Sequence, residues 1–170
     1  MLSFDLGTLE AHAVQVDAVL TDGDPVWESE DPRAVDGVTV HGRLSSAGSG
    51  RFYFSGHLEG QVMTECRRCL APSSAHVAEE ISLVYAEADD AEVDDDPDVY
   101  HLDPRARELD LRPALREQWL LAVPAFVECR PDCAGLCPVC GTDLNAGPCS
   151  CRPATDPRWD ALRSPRGQRS

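Results

Sequence analysis

Val38-Thr39-Val40-His41-Gly42-Arg43-Leu44 and Arg51-Phe52-Tyr53-Phe54-Ser55-Gly56-His57-Leu58 lie on either side of Ser45-Ser46-Ala47-Gly48-Ser49-Gly50. Both flanks are rich in β-branched or aromatic side chains, and the stretch between them is made of small turn formers. The pair predicts an antiparallel hairpin with a loop over 45–50. Working outward, His12 to Leu20 alternates Ala or Val with polar residues, and His76 to Tyr85 alternates again. Gln61 to Cys66 carries strand character from the hairpin into the pair Cys66-Arg67-Arg68-Cys69. Further on, Leu111, Leu115, Trp119 and Ala122 recur at helical spacing. They predict one helix over about 110–123, with Asp110 as N-cap, Pro113 in its first turn and Pro124 as its stop. Trp119 is expected to anchor that helix on the sheet. The fold class is therefore α+β: an antiparallel β-sheet or partly closed barrel, one packed helix and a Cys-rich, zinc-bound C-terminal segment.

Six of the eight cysteines fall in the last quarter of the chain: Cys129, Cys133, Cys137, Cys140, Cys149 and Cys151. A Cys-x-x-Cys turn aims two thiolates at one metal, and Gly141 directly after Cys140 permits the backbone conformation that such a turn needs. Cys149-Ser150-Cys151 would close a tetrahedral four-thiolate site around Cys137 and Cys140. Cys66 and Cys69 have no local partner and would share a second ion with Cys129 and Cys133. An alternative grouping places Cys129, Cys133, Cys137 and Cys140 together. The cofactor expectation is thus Zn²⁺, as one or two structural ions.

Catalytic zinc is disfavoured, because such sites keep a position open for water and commonly use His or carboxylate ligands. The five histidines, at 12, 41, 57, 76 and 101, all lie outside the tail cluster. The sequence has no phosphate-cradling Gly-rich loop and no nucleophile elbow. A Cys-x-x-Cys among antiparallel strands is not the βαβ setting of a thioredoxin motif. The reading is a non-enzyme.

Charge is uneven along the chain. Residues 1–128 hold 26 Asp and Glu against 9 Arg, and residues 129–170 hold 4 against 6. Two units follow: an acidic β-rich domain over 1–128, and a Cys-rich zinc-binding segment with an Arg-rich tail over 129–170. Residues 86–98 carry eight acidic residues in thirteen and read as a solvated loop. A body this acidic is repelled by phosphate backbones and attracts basic partners. No stretch of about 18 apolar residues is present, so no membrane span is expected. Nor is a signal peptide visible at Met1-Leu2-Ser3-Phe4-Asp5, which points to a reducing, cytoplasmic setting in which Cys clusters bind metal.

Several blocks resemble the YceD family, also named for large-subunit ribosomal RNA accumulation. They are Cys66-Arg67-Arg68-Cys69-Leu70, the helix from Asp110 to Pro124, Cys129 and Cys133, and Gly135-Leu136-Cys137-Pro138-Val139-Cys140-Gly141-Thr142-Asp143-Leu144-Asn145. Cys149-Ser150-Cys151 and Asp156-Pro157-Arg158-Trp159-Asp160-Ala161-Leu162 complete the match. The resemblance implies a cytoplasmic bacterial factor for large-subunit ribosome biogenesis. Joined to the acidic charge, it suggests contact with a basic ribosomal protein or large-subunit assembly intermediate. Any local rRNA contact would fall to the zinc-bound tail and its Arg, and the candidates for RNA or partner contact are Arg67, Arg68, Arg158 and Trp159. A direct rRNA-binding module and a thiol or zinc sensor are the competing classes.

Overall fold

The computed structural model describes residues 1–87, 99–152 and 158. Its centre is a five-stranded sheet in the order β2 (Val14–Leu20), β3 (Val38–Gly48), β4 (Arg51–Glu65), β5 (Pro72–Glu87), β6 (Val99–Leu102). A second, two-stranded sheet pairs β1 (Ser3–Asp5) with β7 (Glu108–Asp110). Two helices complete the fold, α1 (Leu6–Ala11) and α2 (Arg112–Ala122).

The hairpin between β3 and β4 is tighter than the sequence predicts. Ser45 and Ser46 stay in the ladder, opposite Tyr53 and Phe52, and Gly48 pairs with Arg51 across a bulge. Only Ser49 and Gly50 remain as the turn, at φ +53° and +70°. Two central residues at positive φ suit the right-handed twist of the flanking strands, so a two-residue turn replaces the expected loop over 45–50.

Three further expectations are corrected. The sheet is not purely antiparallel: β6 runs parallel to β5, with Val84 opposite Val99. Nor does it close into a barrel, because β2 and β6 end it as edges that do not pair with each other. Lastly, the described residues hold two helices where one was expected. At six residues, α1 is too short to show a helical period, and Asp5 specifies it instead by accepting from the Thr8 amide at 2.8 Å.

α2 packs on the sheet at β4 and β5. Ala114, Leu115 and Trp119 are buried, as is Leu111 just before the helix. Trp119 meets the sheet at Gly60, where an added Cβ would stand 2.9 Å from the indole edge. The indole N–H donates to the Pro32 carbonyl at 2.6 Å, which ties the loop before β3 to the helix. Arg116 grips the same loop with a bidentate pair to Asp31, at 2.7 and 3.0 Å. Asp110 sits one residue outside its predicted place. Leu111 takes the N-cap position, while Asp110 Oδ1 accepts from the Arg112 amide at 3.0 Å. The helix ends at Ala122, with Val123 as its C-cap directly before Pro124.

β4 and β5 are 15 and 16 residues long and stay in register from Arg51–Ala86 to Glu65–Pro72. Their far end carries the first Cys-x-x-Cys turn. The chain leaving α2 comes back to this end, where the Arg67 amide donates to the Val127 carbonyl at 2.8 Å.

Candidate metal centres

The two Cys-x-x-Cys turns are built alike. In the first, the Leu70 amide donates to the Cys66 carbonyl and the Arg68 amide points at Cys66 Sγ. In the second, the Gly141 amide donates to the Cys137 carbonyl and the Val139 amide points at Cys137 Sγ. Each turn ends on a residue in the left-handed region, Leu70 at φ +58° and Gly141 at +73°. Sequence reading foresaw the glycine. It missed the leucine, which adopts the same conformation without the freedom that glycine has.

The cysteines form two groups of four: Cys66, Cys69, Cys129 and Cys133, and then Cys137, Cys140, Cys149 and Cys151. Within each group the sulfurs all lie within 4.8 Å of one another. Cys66 Sγ is 3.9 Å from Cys133 Sγ, and Cys69 Sγ is 3.7 Å from Cys129 Sγ. All eight thiols are free, and each group could hold a metal ion. Of the two groupings open from the sequence, this is the one that sets Cys66 and Cys69 beside Cys129 and Cys133.

Electrostatics differ from one sulfur to the next. Backbone N–H groups, that of Cys129 foremost, hold the Cys66 thiol down to about 6, while burial pushes Cys129 up to about 12. In the second group, hydrogen bonds from Thr142 hold Cys140 down to about 6, with Thr142 Oγ1 lying 3.2 Å from the sulfur. The Cys140 side chain pushes Cys151 up to about 12. Four thiols this close cannot all lose their protons unless a cation offsets the repulsion.

The loop between the groups is shared. Gly135, at φ +75°, is pressed against Arg68, and a Cβ there would come within 2.8 Å of the Arg68 carbonyl oxygen. The Leu136 amide donates to that same carbonyl at 2.8 Å. Asn145 reaches back from the second turn: its Oδ1 accepts from the Ala134 amide at 2.8 Å and from Arg130 at 2.7 Å. Its Nδ2 lies 3.6 Å from Cys133 Sγ of the first group. A residue in the second group's loop therefore orients a ligand candidate of the first. The only sequence signal for this was its place at the end of the Gly135–Asn145 block.

The candidate contact residues fare unequally. Arg67 is held by Glu128, with Nε and Nη2 both on Oε1, and its guanidinium lies 5.7 Å from the ring centre of Phe126. Phe126 is 72% exposed and was missed by sequence reading. Arg68 is exposed, with its backbone carbonyl used to seat Leu136. Arg158 is exposed, while Trp159 lies outside the described residues, as do residues 88–98 of the acidic run. No helix of the described residues is long and apolar enough to cross a membrane.

A family model described as large ribosomal RNA subunit accumulation protein YceD matches residues 54–164. Uncharacterized proteins of Mycobacterium bovis and Mycobacterium tuberculosis are 31% identical over 122 residues, which is 71% of this chain and 58% of each relative. The chain therefore spans somewhat over half the length of the curated relatives it matches. No solved structure matches it. The matched residues run from near the start of β4 through the first Cys-x-x-Cys turn, α2 and both cysteine groups, and on them the chain belongs to the YceD family.

Proposed function

We propose that this protein is a non-enzymatic, zinc-stabilised factor in the accumulation of the large ribosomal subunit, acting in the cytoplasm by contact with a basic ribosomal protein or assembly intermediate. The observation that carries this reading is the pair of closed four-thiol groups within a family named for large-subunit rRNA accumulation. Zn–S bonds of about 2.3 Å in a tetrahedron put the sulfurs about 3.8 Å apart. The separations of 3.9 and 3.7 Å in the first group suit that ion. A complete thiolate set leaves no position for a reacting water, so the metal's contribution would be to cross-link chain segments. In the first group it would tie the β4–β5 tip to the chain after α2.

The partner class follows from charge. The 26 acidic residues against 9 Arg over residues 1–128 repel phosphate and attract cations. One observation favours a second reading: the exposed Phe126 ring beside Arg67 offers a stacking surface for an RNA base. The ion pair of Arg67 with Glu128 offsets the charge that such a contact would use.

Metal content and thiol reactivity test the zinc reading. Two zincs per chain, with no reactive thiol until a chelator is added, are expected. A metal-free chain with eight reactive thiols overturns it. For the partner, neutralising the carboxylates of residues 86–98 is expected to lower co-purification of large-subunit proteins, and unchanged recovery overturns that part. Salt-sensitive binding of an rRNA fragment that is lost in Phe126→Ala would favour the RNA reading instead.

A further inference from the structure

Among the described residues, the outer edge of β5 pairs with another strand only from Val84 to Glu87. The Cys66 amide donates to the Ala71 carbonyl across the β4–β5 pair, and the Gln61 carbonyl accepts from Val35 on the opposite side of β4. In an antiparallel ladder inward-bonded and outward-facing residues alternate. Ser74, His76, Ala78 and Glu80 therefore turn their backbone N–H and C=O groups away from β4. On that side the partner strand β6 begins only at Val84–Val99. Among the described residues, no backbone bond reaches the edge from Ser74 to Glu80.

A groove runs between this edge and α2. Glu79, Glu80 and Ile81 form one wall and Gln118, Leu121 and Ala122 the other, around a volume of about 140 Å³. Leu121 is 73% exposed, although it lies on a helix whose other apolar side chains pack inward. Both glutamates are exposed. Glu80 shares the outer face of the sheet with Glu59, while Glu79 points to the helix side at the groove's rim.

We infer that this groove takes an extended peptide as an added strand, with Lys or Arg alternating with apolar residues. Main-chain bonds to the open edge supply affinity, and alternate side chains supply selectivity. Basic residues meet Glu80 and Glu59 on the outer face, and apolar ones lie against Leu121 and Ile81. A second copy fits poorly, because two β5 edges paired around Glu79 and Glu80 would oppose carboxylate to carboxylate. The inference rests on the proposed basic partner and deepens it by giving that partner a shape and a seat.

The test uses the full chain with its metal complement and a labelled nine-residue peptide alternating Lys and Val. Binding is expected to protect the amides of Ser74, His76, Ala78 and Glu80 from hydrogen exchange. Ala78→Pro removes an outward N–H while sparing the β4 ladder, and is expected to weaken binding about tenfold. Leu121→Glu provides an independent check from the helix wall and is expected to weaken it similarly. Protection elsewhere, affinities unchanged in both variants, or no binding to the wild-type chain overturns the inference. So does a dimer of the wild-type chain that Ala78→Pro dissolves, since the edge would then belong to a second copy. Recovery of large-subunit proteins is measured in parallel. Equal recovery by wild type and Ala78→Pro overturns the edge while the basic-partner reading stands. Peptide binding that depends on the edge, with no large-subunit protein recovered, supports the edge and removes that reading.

Discussion

Leu70 and Gly141 occupy the same position in two copies of one turn, each directly after the second cysteine, at φ +58° and +73°. Both donate their amide to the carbonyl of the first cysteine, at 2.9 Å in each turn. The hydrogen bonding of the turn demands the left-handed conformation, which costs an ordinary residue roughly 1–2 kcal/mol. Leu70 is 57% exposed, so little packing offsets that cost. Leu70→Gly is expected to stabilise the metal-loaded protein by about 1 kcal/mol, less what glycine loses in chain entropy. Gly141→Ala, where a Cβ would meet nothing within 4 Å, is expected to destabilise it by about 1 kcal/mol through the backbone alone. Urea midpoints of the two variants check both signs.

Asn145 carries a second expectation. Its amide lies 3.6 Å from Cys133 Sγ, and its carbonyl oxygen holds Ala134 and Arg130. Groups that orient a ligand typically matter 10–100-fold in metal affinity. Asn145→Ala is expected to weaken the proposed metal binding by Cys66, Cys69, Cys129 and Cys133 by about tenfold or more. The group within its own loop should change less. Chelator competition resolving two release steps measures this, and equal weakening of both steps would deny Asn145 its selective role.

The pair between Asp31 and Arg116 sets a pH dependence. Hydrogen bonds from Arg116 hold the Asp31 carboxyl below the ordinary carboxylate range. A carboxyl lowered on folding contributes stability above its unfolded value of 3.8, and that contribution is lost as pH falls through the lower folded value. Asp31→Asn is therefore expected to be less stable than wild type near pH 6, with the gap narrowing below pH 4 (roughly the unfolded carboxylate range). A gap that stayed constant from pH 6 down to pH 3 would assign the loss to packing alone.

Much of this architecture is legible in the residues themselves. Alternation over 38–44 and 51–58 becomes β3 and β4, because β-branched and aromatic side chains suit a half-buried pleated surface. Leu115 and Trp119 meet the sheet because helical spacing puts them on one stripe. The two Cys-x-x-Cys turns were visible because paired thiols at i and i+3 leave few other uses, although a glycine follows only the second. Less local features were not visible. α1 is shorter than a helical period can reveal, and the parallel pairing of β6 leaves no trace in its own four residues. Arg67 read as a free cation, whereas Glu128, 61 residues away in sequence, neutralises it.

What the sequence determined by itself is the supply of chemistry: eight thiols in short clips, an acidic body without lysine, and a helix with one apolar face. Those follow from residue identity and short-range spacing, which need no partner from elsewhere in the chain. Which cysteines stand together, which arginine is already paired and which strand edge stays open were decided only by the tertiary structure. Cys66 meets Cys133 across 67 residues because the length of the β4–β5 hairpin and the path of α2 bring both to one end of the sheet. That is a matter of register and packing, and no local spacing encodes it.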